Sequence, residues 1–192
     1  MRFEKVSYLE WIRACNQDAT RREKLFYDIV HHEPDDGKPN VVKLWKEIKL
    51  PERATVGSAG YDFFAPVDII LHPGELITIP TGIKWTSMEL DNGILTNQYF
   101  LSIYPRSSLG RDYSIREPNI VSIIDEDYYN NKSNEGHIFI NIKNEGTNGP
   151  CLIKKGTAYA QGIIQRYYMI DGDHTTKTRT GGFGSTTKED DK

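Results

Sequence analysis

The stretch "HIFINI" (residues 137–142) decides the fold class, because its isoleucines alternate with other residues at the period of a β-strand. Ile138, Ile140 and Ile142 then share one face of the strand, which we expect to face the core. Three further stretches are strand-like and are bounded by turn residues: "ELITIP" (75–80), "YFLSIY" (99–104) and "NIVSII" (119–124). Short strands at close, regular spacing predict an all-β jelly roll or β-barrel over residues 41–172, with few helix signals between residues 51 and 169.

Residues 1–40 follow a different pattern. Ser7-Tyr-Leu-Glu10 has the form of a capping box at the start of a helix. Apolar residues recur at helical spacing over residues 25–30, and the turn-rich "EPDDGKPN" (33–40) follows them. We therefore predict an N-terminal helical extension of one or two helices. Two roles stay open for it, packing on the main body or binding a separate protein partner.

Residues 173–192 form a third segment, in which the apolar pattern has stopped. Within it, "RTGGFGST" (179–186) places one phenylalanine, Phe183, among three glycines. A flexible tail has no need of a phenylalanine, and a core phenylalanine needs more apolar neighbours than this one has. The segment is predicted as a C-terminal arm that leaves the body.

The overall composition narrows the class of protein. The formal net charge is −3 over 192 residues, which argues against binding nucleic acid through a basic surface. No apolar run approaches the roughly 18 residues of a membrane span, and the two cysteines suit packed thiols in a reducing compartment. We expect a cytoplasmic protein, or a nuclear one if the host is a eukaryote or a virus, without membrane contact.

A candidate phosphate site lies in "YPRSSLG" (104–110). This stretch follows a strand and offers the guanidinium of Arg106, the hydroxyls of Ser107 and Ser108, and a turn of backbone N–H groups. Phosphate oxygens require such donors, and arginine binds two oxygens at once. A polar exit from a strand has the same sequence pattern, so this motif alone leaves both interpretations open.

Carboxylates and one amide form the other candidate groups. Asp125 follows an apolar pair in "SIIDEDYYN" (122–130), so it is placed at a strand end where it can accept a proton from water, and Tyr128 can lie against a sugar. An acidic, solvated turn is the alternative. Asp62 in "SAGYDFFAP" (58–66) either bonds a metal-bound water or closes a turn, and Gln161 in "AYAQGII" (158–164) either satisfies backbone or points into a site.

The histidines and cysteines show no zinc spacing along the chain. If a metal takes part, the expected ion is Mg²⁺ that arrives with a phosphate ligand and is held mainly through water.

The order of the motifs adds a resemblance that no motif carries alone. "AGYDFFA", "PRSSLG", "IIDEDY", "AYAQGII" and "GGFGST" resemble, in this order, the five motifs of the trimeric dUTP pyrophosphatases (dUTPases) over about residues 41–188. The resemblance implies a dUTPase-like jelly roll, a homotrimer with active sites shared between subunits, and Mg²⁺-assisted hydrolysis of dUTP to dUMP and pyrophosphate by water attack on the α-phosphate.

The resemblance also implies a role for each candidate residue. Asp125 matches the carboxylate that activates the attacking water, Tyr128 the ring against the deoxyribose, and Asn119 the amide that reads the uracil edge. Asp62 matches the carboxylate near the metal. The matches to phosphate-binding residues are Arg106, Ser107, Ser108 and Gln161.

For the arm, the resemblance implies a lid that folds over the site when nucleotide binds. Phe183 would stack on uracil, while Arg179 and the residues from Gly182 to Thr186, including Gly184 and Ser185, would bind the terminal phosphates. Glycine permits the close approach of backbone to an anion.

Three departures from the family pattern leave alternatives open. Arg179 stands four residues before Phe183 where the family has five, so Lys177 is the alternative contact to the terminal phosphate. A longer polar loop, residues 129–136, follows Tyr128 and bears on base selectivity. Ser122 replaces a common glycine before the aspartate.

Two alternative functions remain at this point. "RSSLGR" (106–111) is similar to the second motif of the dCTP deaminases, which share the fold, so a deaminase or bifunctional enzyme is one alternative. The deaminase glutamate aligns with Asn141, however, and an amide cannot shuttle that proton. A dUTPase-fold regulatory protein that binds a partner through its N-terminal helices is the other.

Overall fold

A computed structural model describes residues 1–16, 41–87, 90–91, 94–95, 98–176, 179 and 181. It consists mostly of short antiparallel strands, which confirms the predicted all-β fold. The helices are α1 (Tyr8–Cys15), α2 (Val41–Glu47) and α3 (Ser107–Tyr113), with one 3₁₀ turn at Glu126–Tyr128. The strands are β1 (Arg2–Lys5), β2 (Gly60–Phe64), β3 (Ile69–Leu71), β4 (Leu76–Pro80), β5 (Ile83–Thr86), β6 (Leu90–Asp91), β7 (Ile94–Leu95), β8 (Tyr99–Pro105), β9 (Ile115–Arg116), β10 (Ser122–Ile124), β11 (Phe139–Asn144), β12 (Cys151–Ile153) and β13 (Ala158–Arg166).

Two sheets carry most of the structure. One has the strand order β10-β8-β13-β2 and the other the order β4-β11-β9, and the pairs β1-β5, β3-β12 and β6-β7 complete the architecture. Buried side chains from both larger sheets belong to one hydrophobic cluster. Among the described helices, none is both long and apolar enough to cross a membrane.

The alternating isoleucines of "HIFINI" face the core as predicted. Ile138, Ile140 and Ile142 are at most 1% exposed. In the antiparallel pair of β11 with β4, Ile140 lies opposite Ile79 and Ile142 opposite Ile77. Because the side-chain period of a strand is two, this register places both sets of isoleucines on the same buried face.

The N-terminal capping motif forms half of the predicted box. The Ser7 side chain caps α1 by accepting a hydrogen bond from the backbone N–H of Glu10 at 3.2 Å. The backbone N–H of Ser7 donates to Glu135 at 2.9 Å instead of to Glu10. The helix expected around residues 25–30 lies outside the described residues.

Three local predictions from the sequence were wrong. Val41–Glu47 is a helix and not the start of the β pattern, because Leu44 and Trp45 pack against the core from a helical turn. Residues 107–113 are also helical. Of "NIVSII", only Ser122–Ile124 is a strand, since the residues before it form a tight turn after Pro118.

β1 was not predicted, and it joins the N-terminal segment to the body. It pairs with β5 over four residues, from Arg2 opposite Thr86 to Lys5 opposite Ile83. Behind it, Trp11 is fully buried and its indole N–H donates to the Val41 carbonyl at 3.1 Å. The described N-terminal residues therefore share the core of the barrel.

Trp11→Ala should lower the free energy of unfolding by ~3–5 kcal/mol, because the substitution leaves a large cavity in that shared core. Leu9→Ala is the matched control on the same helix. Leu9 is 77% exposed, so its truncation should cost at most about 0.5 kcal/mol. Urea unfolding followed by far-ultraviolet circular dichroism measures the change in the free energy of unfolding for both variants. Equal, small losses would show that α1 does not contribute to the core.

Candidate active site

The first cluster of candidate residues lies on three neighbouring strands. Asp62 on β2 is opposite Gln161 on β13, which is opposite Tyr104 on β8. Arg106, directly after β8, donates from Nη1 to the Asp62 carboxylate. Asp62 is 7% exposed, whereas the Arg106 side chain is 35% exposed. The ion pair holds the guanidinium in place, and the exposed part of the Arg106 side chain remains accessible to an anion.

Gly60, two residues before Asp62 on β2, leaves room for the Gln161 side chain. A Cβ atom on Gly60 would lie 2.5 Å from Gln161 Oε1. The small residue at position 60 therefore lets the amide lie against the strand beside Asp62. Since Asp62 lies within β2, closing a turn is excluded as its role.

Ser107 and Ser108 are exposed in the first turn of α3. Ser107 also lines an open cavity of about 800 Å³. Among the residues that line the cavity are three arginines and two glutamates: Arg106, Arg111, Arg116, Glu117 and Glu145. The cavity is wide enough for a nucleotide phosphate chain, and its arginines supply the positive charge that such a chain requires.

The second cluster surrounds Asp125, which directly follows β10 as predicted. The Asp125 and Asp127 side chains are 52% and 50% exposed, while Glu126 between them is buried. Arg179 from the C-terminal segment donates to Asp125 at 2.6 Å and to Asp127 at 2.9 Å. The acidic turn is thus ordered by its partners, and its two outer carboxylates form one anionic site.

Tyr128 lies below this site and is 3% exposed. Its hydroxyl donates to the His137 carbonyl at 3.0 Å and accepts a hydrogen bond from Asn134 Nδ2 at 2.6 Å. The Arg179 guanidinium lies 5.6 Å from the ring centroid. Burial raises the pKa of Tyr128 to about 12. The phenol therefore stays protonated and keeps its donor role at neutral pH.

The turn that carries Asn119 is organised by a buried glutamate. Glu117, 3% exposed, accepts hydrogen bonds from the Asn119 backbone N–H at 2.7 Å and from the Ser122 hydroxyl at 2.8 Å. Ile120 has φ +70°, a conformation that is costly for a β-branched residue. The turn is therefore held in a strained shape beside Asn119.

Sequence reasoning missed several residues that shape this site. Glu117 organises the Asn119 turn, and His137 and Asn134 hold the Tyr128 hydroxyl. Glu117 precedes a Pro-Asn pair, a local signal that could have been used. For His137 and Asn134 no local signal exists, because their roles arise from contacts across the loop of residues 129–136.

Much of the predicted lid lies outside the described residues. This applies to Lys177 and to Gly182, Phe183, Gly184, Ser185 and Thr186. Arg179 is among the described residues. It forms ion pairs with Asp125 and Asp127, and its guanidinium lies over the Tyr128 ring. It must release these carboxylates before its guanidinium can bind a phosphate.

Within one chain the two clusters are far apart. Ile124, before Asp125, lies opposite Leu101, and Asp62 is in line with Tyr104 three residues further along β8. β10 and β2 are also three strand spacings apart in the sheet order. Asp125 lies one residue beyond Ile124, so it is offset from Asp62 by ~14 Å along the strand and ~14 Å across the sheet, and the two carboxylates are ~20 Å apart.

The donor set fits a hydrated metal ion better than a protein cage. No group of three or more histidine, cysteine, aspartate or glutamate side chains could hold a metal among the described residues. Asp62 has one carboxylate oxygen on Arg106 and lies beside the Gln161 amide. One carboxylate and one amide suit hydrogen bonds to the water shell of Mg²⁺ on a phosphate.

A family model described as dUTPase matches residues 46–187. The chain is 40% identical over 141 residues to the deoxyuridine 5'-triphosphate nucleotidohydrolase of Lactococcus lactis subsp. lactis (strain IL1403), covering 72% of this chain and 88% of the relative. It is 36% identical over 150 residues to the enzyme of that name from Tolumonas auensis, covering 74% and 90%.

Solved structures agree with these relatives. The dUTPase from Streptococcus mutans matches with a TM-score of 0.54 and 35% identity, over 64% of this chain and 89% of that one. A mutant dUTPase from phage phi11 of S. aureus, whose structure details a structural Mg(II) ion, matches with a TM-score of 0.51 and 21% identity over 67% and 90%. The second match supports the fold alone.

Proposed function

The chain belongs to the dUTPase family and hydrolyses dUTP to dUMP and pyrophosphate, and on this basis we propose a role for each residue of the site. Asp125 of one copy activates the attacking water, while Asp62, Arg106 and Gln161 of a neighbouring copy hold the phosphates. The observation that carries this division is the separation of ~20 Å between the two clusters within one chain. Both must act on the same triphosphate, so a second copy has to supply one of them.

Asp125 is the general base in this scheme. Its carboxylate accepts a proton from a water molecule as the water oxygen attacks the α-phosphorus. The bond to the bridging oxygen breaks, and pyrophosphate leaves. The half-exposed carboxylate of the single chain becomes shielded when a neighbouring copy covers it, which strengthens its hold on the water.

The phosphate chain is bound by Arg106, Ser107, Ser108 and Gln161. Arg106 is already oriented by its ion pair with Asp62, so little side-chain entropy is lost when it binds an anion. Ser107 and Ser108 are both exposed and offer hydroxyl donors, and Ser107 lines the cavity. Placed together, these groups stabilise charge that develops on the phosphate oxygens during attack.

Mg²⁺ is the proposed metal, and Asp62 and Gln161 are the residues that would hold it through its water shell. When bound, it neutralises phosphate charge and makes pyrophosphate a better leaving group.

Base and sugar are recognised by the second cluster. Asn119 is held by the strained turn around Glu117, and its amide can pair with the uracil edge. The buried ring of Tyr128 forms a wall for the deoxyribose, where a 2′-hydroxyl would collide with it. Phe183 and the residues from Gly182 to Thr186 close over the base and terminal phosphates, with Arg179 or Lys177 contacting the last phosphate.

The proposed assembly is a homotrimer with shared sites. Three copies arranged in a closed ring place each Asp125 cluster against the Asp62 cluster of the next copy. Ile120 and Ile123 are 85% and 45% exposed beside Asp125, and a neighbouring copy would cover them.

The alternatives receive less support. Deamination would need a carboxylate where Asn141 stands, and the Asn141 amide oxygen instead accepts a hydrogen bond from Thr78 at 2.7 Å. A protein partner for the N-terminal extension (residues 1–40) remains a proposal and does not compete with catalysis.

Product analysis tests the proposed activity. With Mg²⁺, purified protein should release pyrophosphate and dUMP from dUTP, and dCTP, dTTP, dATP and dGTP should be turned over at least ~10²-fold more slowly. EDTA should abolish release. Formation of dUTP or dUMP from dCTP at a comparable rate would support the deaminase alternative and contradict the assignment.

A further inference from the structure

We propose that Glu10 and His137 are positioning residues for Tyr128, so that the N-terminal segment (residues 1–16) takes part in setting the selectivity of the active site. The inference rests on the proposed function. Residues 1–45 lie outside the matched family model, which begins at residue 46. The contacts described below nevertheless connect α1 to the wall of the sugar site in two hydrogen-bonded steps.

The first step is a buried pair between α1 and the residue after the loop. His137 is 0% exposed, and its Nδ1 lies 3.0 Å from Glu10 Oε1. The backbone N–H of Gly82 donates to His137 Nε2 at 2.8 Å. Nε2 is therefore an acceptor, so the ring proton is on Nδ1 and is donated to Glu10. The imidazole is fixed in one tautomer and one orientation.

The pKa shifts of His137 and Glu10 support the same protonation state. Burial lowers the pKa of His137 below its ordinary value of 6.5. Burial on its own would raise the pKa of Glu10, but hydrogen bonds from His137 and Arg13 outweigh it and keep that pKa below 4.5. Arg13 donates to both Glu10 oxygens, at 2.6 and 2.9 Å. Near neutral pH the pair is a neutral imidazole on a carboxylate.

The second step leads from His137 to Tyr128. The His137 carbonyl accepts the Tyr128 hydroxyl at 3.0 Å, so a displacement of His137 moves the acceptor that fixes the phenol. Tyr128 is buried and lies in the cluster with Asp125. A ring whose hydroxyl is fixed in this way can discriminate against one added oxygen on the sugar.

Two further contacts hold the loop of residues 129–136 to the same segment. The Glu135 carboxylate accepts hydrogen bonds from the Ser7 backbone N–H at 2.9 Å and from the Ser7 hydroxyl at 2.5 Å. At the other end of the loop, the Tyr129 hydroxyl donates to Glu4 at 2.7 Å. The segment therefore contacts the loop at its beginning and its end, and Glu10 contacts the residue that follows it.

The test compares dUTP with UTP, since the deoxyribose wall decides between them. Glu10→Ala should lower the ratio of the kcat/KM for dUTP to that for UTP by at least about tenfold, measured well below the melting temperature. Glu10→Gln keeps an acceptor for His137 Nδ1 and should stay within about threefold of the parent ratio. Ala14→Gly weakens the same helix without touching this chain of contacts, and it should leave the ratio unchanged.

An unchanged ratio in folded Glu10→Ala, or an equal loss in Ala14→Gly, would overturn the proposal. If Glu10→Ala does not fold, ¹⁵N NMR of the His137 ring in the parent protein decides. The ring nitrogen shifts should change when α,β-imido-dUTP binds, and constant shifts in a saturated complex would overturn the proposal. Failure of the parent protein to hydrolyse dUTP would refute the proposed function instead, so the two failures are distinguishable.

Discussion

Asp125→Asn should lower kcat for dUTP hydrolysis by ~10³–10⁴-fold while leaving the affinity for α,β-imido-dUTP within a few-fold of the parent value. An amide matches the carboxylate in shape but cannot accept the proton of the attacking water. Because we expect Arg106 and its neighbours on another strand to bind the phosphates, nucleotide binding should not depend on Asp125. Single-turnover kinetics and isothermal titration calorimetry measure the two quantities separately.

Asp127→Asn is the matched control for this prediction. Asp127 has almost the same exposure as Asp125, and it also accepts a hydrogen bond from Arg179. Its replacement removes the same charge and a comparable ion pair two residues away. We expect a kcat within about threefold of the parent value, since an exposed ion pair contributes little. A similar loss in both variants would mean that local charge matters and a base at position 125 does not.

Removing residues 179–192 should lower kcat/KM for dUTP by ~10²-fold or more while the protein remains folded. The truncation deletes Arg179, Phe183 and the glycine-rich segment that we expect to exclude bulk water and bind the terminal phosphates. The body of the protein remains, because the described core residues and the side chains packed against them end at Ile164, before the deleted segment. Steady-state kinetics and thermal melting measure activity and stability in the same sample.

A shorter truncation provides the control for the arm. Removing only residues 188–192, "KEDDK", deletes charge from the end of the chain and keeps the lid motif. This variant should retain the parent activity. If the longer truncation were also fully active, the arm would not act as a lid.

The fold class could be predicted from the sequence because it depends on a local period. Ile138, Ile140 and Ile142 alternate, and burial of one face follows directly from that alternation. The strand over residues 119–121 was predicted wrongly, because the apolar residues of this stretch lie in a turn that Glu117 stabilises. Periodicity does not record such a side-chain contact.

The candidate site was predictable in part. Asp62, Arg106 and Gln161 lie in separate motifs, and the structure brings them together through strand pairing that no single motif encodes. The link from Glu10 to His137 spans 127 residues, so no pattern along the chain could indicate it. The position of β1 beside β5 was missed for the same reason, since sheet pairing is a long-range property.

Mixing two inactive variants tests the shared site most directly. Asp125→Asn and Arg106→Gln are each prepared with all other site residues intact. Glutamine at position 106 keeps a donor for Asp62 but loses the charge that we expect to bind phosphate. The variants are unfolded together, refolded as an equal mixture and assayed for pyrophosphate release. If Asp125 and Arg106 of one site come from different copies, random assembly restores both native groups in about one quarter of the sites. We predict recovery to about that fraction of the parent activity, and a mixture that stays as inactive as its components would contradict the account.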